Sequence, residues 1–294
     1  MGNGSGLSNQ NQDKGILNTR RNNINLLVRQ ITNQFMKEKI QEILRLDQEL
    51  NEIWQNLNVD NQRDFTIALN GSYRGTRDEN DRQCGFGELI SDKQDKYCLG
   101  YWQDNELNGK GCTLFIEENQ QYHYYYGIFD KGNPHGRGTL KYSDGSNYDG
   151  QWLNGNMTGS GTIYIYNTLQ YQGYVKNRMM HGKGKLYLSS DPGNQNFGSD
   201  DQFITRGGII MEGQFYEDNL CDGTIKSQTG IYIGQMKDGQ MEGRGKFIWN
   251  ENNFYHGEFK NNMRHGIGSS KNQNGQIEIA KWENDQKVQV LNLQ

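Results

Sequence analysis

The chain has 294 residues, of which 33% are hydrophobic and 11% aromatic, with 38 Gly, 17 Tyr, only 2 Pro and a formal net charge of −4. So few aliphatic side chains exclude a conventional two-layer domain built around a large aliphatic core, while the tyrosines, the glycines and the scarcity of proline argue against disorder. The negative balance removes the main driving term for non-specific nucleic-acid binding, and no run of 18 apolar residues could span a bilayer.

Residues 1–21 read as a disordered tail. They show no signal-peptide pattern, and the Met1-Gly2 start lacks the Ser or Thr that myristoylation wants at the sixth position, where Gly6 stands. With four Cys and no secretory signal, the thiols are expected to be reduced and cytosolic. Residues 22–58 have helical periodicity. Ile24, Val28, Ile31 and Phe35 start an apolar stripe, and Met36, Ile40, Ile43, Leu50, Trp54 and Leu57 continue it one residue out of phase. This predicts one long amphipathic helix whose apolar side is a contact surface. Residues 59–72 read as a linker.

From Tyr73 onward the chain repeats itself. YYGIFDKGNPHGRGTLKY from Tyr125 aligns with YDGQWLNGNMTGSGTIYI from Tyr148 and YQGYVKNRMMHGKGKLYL from Tyr171. YIGQMKDGQMEGRGKFIW from Tyr232 and YHGEFKNNMRHGIGSSKN from Tyr255 follow the same pattern. The third-position glycines are Gly127, Gly150, Gly173, Gly234 and Gly257, with a step of 23 residues inside each run. Each copy then carries a Gly-x-Gly pair: Gly136/Gly138, Gly159/Gly161, Gly182/Gly184, Gly243/Gly245 and Gly266/Gly268. Weaker copies start at Tyr73, at Cys98 with Gly100 and Trp102, at Gly213 with Phe215, and at Ala280 with Trp282, the last without a second half. About nine units therefore fill a first block, 73–188, and a second, 209–287. Between the blocks, 189–208 is a polar insert that predicts a surface loop, and 288–294 is a tail.

Alternation in each half copy is that of a strand, and Asn154-Gly155 and Asp238-Gly239 supply turn residues between the halves. The Gly-x-Gly pair leaves room for an aromatic ring to lie against backbone. The pattern resembles the MORN repeat. That resemblance implies one β-hairpin per repeat and a mainly β fold, an elongated single-layer antiparallel sheet of tandem hairpins preceded by one long amphipathic helix. At ~4.8 Å per strand, nine hairpins would extend roughly 80–90 Å.

Chemistry is harder to find. No Gly-x-Gly pair opens a helix, so none is a phosphate cradle. His135, His181 and His265 each precede the Gly-x-Gly pair and read as motif residues, and Cys84, Cys98, Cys112 and Cys221 lack metal-ligand spacing. Asp191, Asp200 and Asp201 lack the spacing of a calcium loop. The expectation is a protein without catalysis, cofactor or metal. The aromatic face, with Trp102, Tyr125, Phe129, Tyr148, Trp152, Tyr171, Phe215, Tyr232, Tyr255, Phe259 and Trp282, is the candidate partner surface. The plainer reading of each ring is that neighbouring glycine gaps bury it within the sheet, and a strip left partly open would mark a partner site. Resemblance to stand-alone MORN arrays implies a cytoplasmic scaffold of a ciliary axoneme, radial-spoke-like, or of another cytoskeletal assembly. Its partners would be other proteins, through helices, or a second copy. Nucleic acid is not expected. A peripheral adaptor binding acidic phospholipid through Lys131, Arg137, Lys183 and Lys185 is the second choice.

Overall fold

The computed structural model describes residues 34–59, 66–68, 71–117, 121–189, 199–271 and 275–291. The polypeptide divides into two compact units, Met1–Pro134 and His135–Gln294.

In the first unit, α1 (Gln34–Leu46) and α2 (Gln48–Val59) stand where the sequence predicts one helix over 22–58. Residues 22–33 lie outside the described residues, and the remainder is broken at Asp47. The break has a local cause. Asp47 Oδ1 accepts the Leu50 N–H at 3.1 Å and its carbonyl accepts the Asn51 N–H at 3.0 Å, so Asp47 caps α2. A short acidic side chain favours a helix start over a helix interior.

Six strands follow: β1 (Thr66–Ala68), β2 (Gly71–Arg77), β3 (Gln83–Ser91), β4 (Lys96–Gln103), β5 (Glu106–Ile116) and β6 (Tyr122–Asp130). Each is antiparallel to the next. β1 lies in the stretch read as a linker, where it pairs Thr66 with Tyr73 and Ala68 with Gly71.

The second unit continues from β7 (Asn133–Tyr142) through β8 (Asn147–Leu153), β9 (Asn156–Ile165), β10 (Thr168–Lys176) and β11 (Met179–Leu188). After the short helix α3 (Asp200–Thr205) come β12 (Ile209–Tyr216), β13 (Asn219–Ser227), β14 (Gly230–Lys237), β15 (Gln240–Asn250), β16 (Asn253–Lys260), β17 (Met263–Lys271), β18 (Ile277–Glu283) and β19 (Gln286–Val290). Neighbours in the chain are again antiparallel neighbours in the sheet. Each unit is thus an open antiparallel layer of hairpins, mainly β as the repeats predict.

Two expectations need correction. The 189–208 insert is not simply a loop. Ser199 caps α3, accepting the Gln202 N–H at 3.3 Å, and Phe203 is buried edge-on against Tyr187 at 5.7 Å. The ladder from β11 to β12 runs from Gly182↔Phe215 to Leu188↔Ile209, so the insert leaves the sheet unbroken. The last copy also has a second strand after all. β19 pairs Ala280 with Val290 and Glu283 with Gln286, because backbone pairing does not require the Gly-x-Gly pair.

The registers align the glycines into a row across the strands. In the first unit the row is Gly75, Gly87, Gly100, Gly111 and Gly127. In the second it runs Gly138, Gly150, Gly161, Gly173, Gly184, Gly213, Gly223, Gly234, Gly245, Gly257 and Gly268, ending at Ala280. The first glycine of each Gly-x-Gly pair has a different task. Gly136, Gly159, Gly182, Gly243 and Gly266 have φ between 57° and 78°. The last four sit at the register shifts of their hairpins, as glycine does in a β-bulge.

The turns add a second bond between repeats. Both turn residues have positive φ, as in Asn177-Arg178, Glu217-Asp218 and Asn261-Asn262, the geometry that suits two-residue hairpins. The second residue also reaches back to the preceding hairpin. Asn262 donates its N–H to the Met241 carbonyl at 3.1 Å and accepts the Met241 N–H through Oδ1 at 2.7 Å. Asn105 with Gln83, Asp218 with Met180 and Asp285 with Arg264 repeat the clamp.

The glycine row gives a direct test. A Cβ at Gly161 would collide with the Tyr148 ring, whereas one at Gly239, in a turn at φ 75°, meets nothing within 4 Å. Gly161→Ala is expected to destabilise by roughly 1–3 kcal/mol through overpacking. Gly239→Ala should cost only the left-handed penalty of roughly 1–2 kcal/mol. Urea denaturation of the two variants and the parent checks the order. The clamp predicts that Asn262→Ala lowers the midpoint more than Asn262→Gly, which keeps the turn conformation and loses only the side-chain bond.

Candidate interaction surfaces

The eleven rings proposed as a partner strip are all buried: Trp102, Tyr125 and Phe129 in the first unit, and Tyr148, Trp152, Tyr171, Phe215, Tyr232, Tyr255, Phe259 and Trp282 in the second. They form no open strip. In the second unit the motif tyrosine lies over its own glycine pair, where a Cβ at Gly150 or Gly161 would strike Tyr148, and one at Gly257 or Gly268 would strike Tyr255. The motif hydroxyl donates to the carbonyl three residues on: Tyr125 to Ile128 at 2.9 Å, Tyr148 to Gln151 at 3.0 Å, Tyr171 to Tyr174 at 2.8 Å, Tyr232 to Gln235 at 2.7 Å and Tyr255 to Glu258 at 3.0 Å. The second aromatic of the motif packs edge-on against the tyrosine. Tyr148–Trp152 centroids are 5.4 Å apart, Tyr171–Phe215 5.6 Å and Tyr255–Trp282 5.5 Å. Trp102 and Trp152 also donate Nε1–H to the Gly87 and Gly138 carbonyls at 2.9 Å. The ring face is therefore the internal core of the array.

Burial pushes the hydroxyls of Tyr148, Tyr171, Tyr232 and Tyr255 up to about 12. Their neutral forms are the donors of the hydrogen bonds just described. A folded value above the unfolded one means that this stabilisation is complete below pH ~10 and is lost as pH rises through the folded value. An alkaline titration followed in the near ultraviolet should show exposed tyrosines ionising first and these four only as the fold is lost. A single transition near the ordinary tyrosine value, with the fold intact, would contradict the buried row.

The opposite face is where the units differ. In the first, α1 and α2 cover it. Met36, Ile40, Ile43, Leu44 and Leu50 share one buried cluster with Ile90, Tyr97, Leu99, Cys112, Leu114 and Tyr124, and Trp54 packs on it partly buried. Of the predicted helix contacts, Ile40, Ile43, Leu50 and Trp54 thus meet the chain's own sheet. Ile24, Val28 and Ile31 lie outside the described residues, as do the side chains of Phe35 and Leu57. Leu44 belongs to the contact although the stripe read from the sequence omits it. Lys110 Nζ closes the edge, 2.9 Å from Asp47 Oδ2 and 2.8 Å from Glu49 Oε2. Beneath lies a buried carboxylate, Glu88, which accepts from Arg74 Nε and from the Tyr97 hydroxyl, both at 2.6 Å.

In the second unit α3 covers part of the same face, where Phe203 packs with Tyr187 and Ile210, and the face is otherwise open. Strands β7 to β11 form a groove lined by His135, Arg137, Asp149, Gln151, Ser160, Thr162, Gln172, Tyr174, Lys176, His181 and Lys183. Arg137, Lys176 and Lys183 are exposed, and His181 packs at 5.2 Å from the Tyr216 ring. Of the four cations proposed for lipid, Arg137 and Lys183 line this groove, Lys185 is paired with Asp200 at 2.6 Å, and Lys131 sits in a turn. Among the described residues no group of three or more His, Cys, Asp or Glu is placed to hold a metal ion, and no helix is long and apolar enough to cross a membrane.

A sequence profile of the MORN repeat matches residues 98–116, 125–147, 148–167, 171–191, 232–254 and 255–277. The chain is a MORN-repeat protein. No curated protein gives a significant match. The copies at Tyr73, Gly213 and Ala280 fall outside the matched segments, yet their strands keep the glycine-row register of the MORN hairpins. The MORN repeat is a structural repeat and not an enzyme family, and it points to a protein-interaction or membrane-binding role.

Proposed function

We propose that this MORN protein is a non-enzymatic scaffold subunit that joins other proteins in a ciliary axoneme, radial-spoke-like, or in another cytoskeletal assembly. One observation carries the reading: the ring face is used up inside the array, while the opposite face of the second unit is open outside the patch that α3 covers. That face exposes Leu153, Tyr174, Tyr216, Ile233 and Ile267, each more than 40% accessible. Single exposed apolar side chains are ordinary, but several on one face of one sheet suit a protein partner. Since α1 and α2 dock on their own sheet, the binding role passes from the helix to this face. The choice of a ciliary or cytoskeletal setting rests on the resemblance to stand-alone arrays.

The peripheral-membrane alternative draws on Arg137 and Lys183. Against it, residues 58–294 carry 24 Lys/Arg and 29 Asp/Glu, and attraction to an anionic leaflet needs clusters of about 4–8 basic residues. Fractionation of cells expressing the tagged chain separates the two readings. A scaffold should stay with the detergent-resistant cytoskeletal or axonemal fraction. Recovery with membranes, released by detergent, would favour the adaptor.

A further inference from the structure

The residue between the two glycines of each Gly-x-Gly pair stands on the face opposite the rings. In the first unit those residues are Phe86 and Lys110, and Lys110 is occupied: Asp47 and Glu49, at the junction of α1 and α2, meet its ammonium at 2.9 and 2.8 Å. In the second unit the same position holds Arg137, Ser160, Lys183, Arg244 and Ile267, of which the first three line the β7–β11 groove, with Arg137 and Lys183 on its outer strands. Arg137 and Lys183 are exposed, and among the described residues neither has an ion pair, nor does Lys176 between them. The single carboxylate lining the groove is Asp149. The floor between the cations includes Gln151, Ser160, Thr162 and Gln172, neutral groups that can both donate and accept hydrogen bonds, beside the exposed Leu153 and Tyr174.

We propose that this groove binds an acidic segment of a partner protein, with Arg137 and Lys183 taking its carboxylates as Lys110 takes Asp47 and Glu49. The proposal rests on the reading of the chain as a protein-interaction scaffold, and names the class of partner. The chain itself supplies the precedent, because the matching face of the first unit already holds polypeptide through a Lys–carboxylate contact at the equivalent repeat position. From β7 to β11 is about 19 Å at ~4.8 Å per strand, the length of about six extended residues at ~3.3 Å each. Three fixed cations against one anion give charge complementarity to a short acidic peptide. They fall below the cluster size that holds a protein on an anionic bilayer, and a concave floor suits a chain better than a flat lipid surface.

The test uses the full chain and a fluorescein-labelled hexaglutamate peptide with a glycine at each end, read by fluorescence polarisation. The matching hexaglutamine peptide is the neutral control. Binding of the glutamate peptide alone is expected, weakening as salt is raised. Arg137→Glu with Lys183→Glu should reduce affinity at least tenfold, and the gentler pair Arg137→Gln with Lys183→Gln should reduce it less. Lys260→Glu, exposed on the same face but outside the groove, should leave affinity unchanged. Circular dichroism confirms that each variant is folded, and the glutamine pair serves if the charge reversal is not. Equal binding of the two peptides, unchanged binding in the glutamine pair, or no binding at all would overturn the proposal. So would capture of phosphatidylserine vesicles, but not of the peptide, through the same two residues. If the peptide fails while the chain still fractionates with the cytoskeleton, the scaffold reading stands and only the groove assignment falls.

Discussion

The contact between a tyrosine ring and two facing glycines governs this structure. A ring can lie flat on a β-sheet only where neighbouring strands present no Cβ, and the registers bring glycine opposite glycine along the row until its last step, where Gly268 faces Ala280. The ring then covers backbone, its hydroxyl bonds a carbonyl three residues along, and an aromatic from the same or the next repeat closes over its edge. Much of the apolar burial in the second unit is obtained this way, with few aliphatic residues. The polar composition therefore follows from the core and does not oppose it. Where the tyrosine is missing the row persists: Cys98 and Met211 stand in its place, but Gly100↔Gly111 and Gly213↔Gly223 remain paired. The close backbone approach is thus the stricter requirement, and the ring the more replaceable part.

The same economy extends to the turns. A two-residue turn with positive φ at both positions would be easiest with glycine, and Asn154-Gly155 and Asp238-Gly239 are of that kind. Four other turns accept the strain of Asn or Asp at the second position because its side chain and backbone grip the preceding hairpin. Repeats are therefore joined at two places along each strand, by the rings near the middle and by the clamps at the turn end. Nearest-neighbour coupling of this type gives a repeat array its stability.

Much of this was legible in the sequence, and what was not has physical reasons. The spacing of Tyr, Gly and Gly-x-Gly was enough to place the hairpins and the family, because each element of the motif has a fixed geometric duty. The burial of the rings was harder to read. Alternation puts Tyr148 and Trp152 on one face and the Gly-x-Gly pair offers a ring room, but the paired register fixes which glycines on the next strand admit Tyr148. The break at Asp47 was hidden, because one capping aspartate differs little from a solvated helical one until its backbone partners are known. The cover over the first unit left a signal that periodicity within one repeat cannot show. On the face opposite the rings, Leu99, Cys112, Leu114 and Tyr124 are apolar, whereas Asp149, Thr162 and Gln172 on the matching face of the second unit are not. Comparing the repeats position by position on that face would have marked the first unit as the seat of α1 and α2, and Tyr187 and Ile210 as the smaller apolar patch that Phe203 of α3 covers.

The two faces consequently answer to different constraints. On the ring face nearly every side chain is committed to the neighbouring repeat, so variation there costs the fold directly. On the other face the backbone geometry is indifferent to what the side chains are, and each repeat can vary. The first unit uses that freedom to seat its own helices with an apolar surface and a lysine at the edge. The second unit uses it for exposed cations, amides, hydroxyls and scattered apolar groups. The division assigns stability to the motif residues and recognition to the positions between them. At one repeat position Lys110 makes an internal contact with carboxylates that the chain itself supplies, while Arg137 and Lys183 stand exposed.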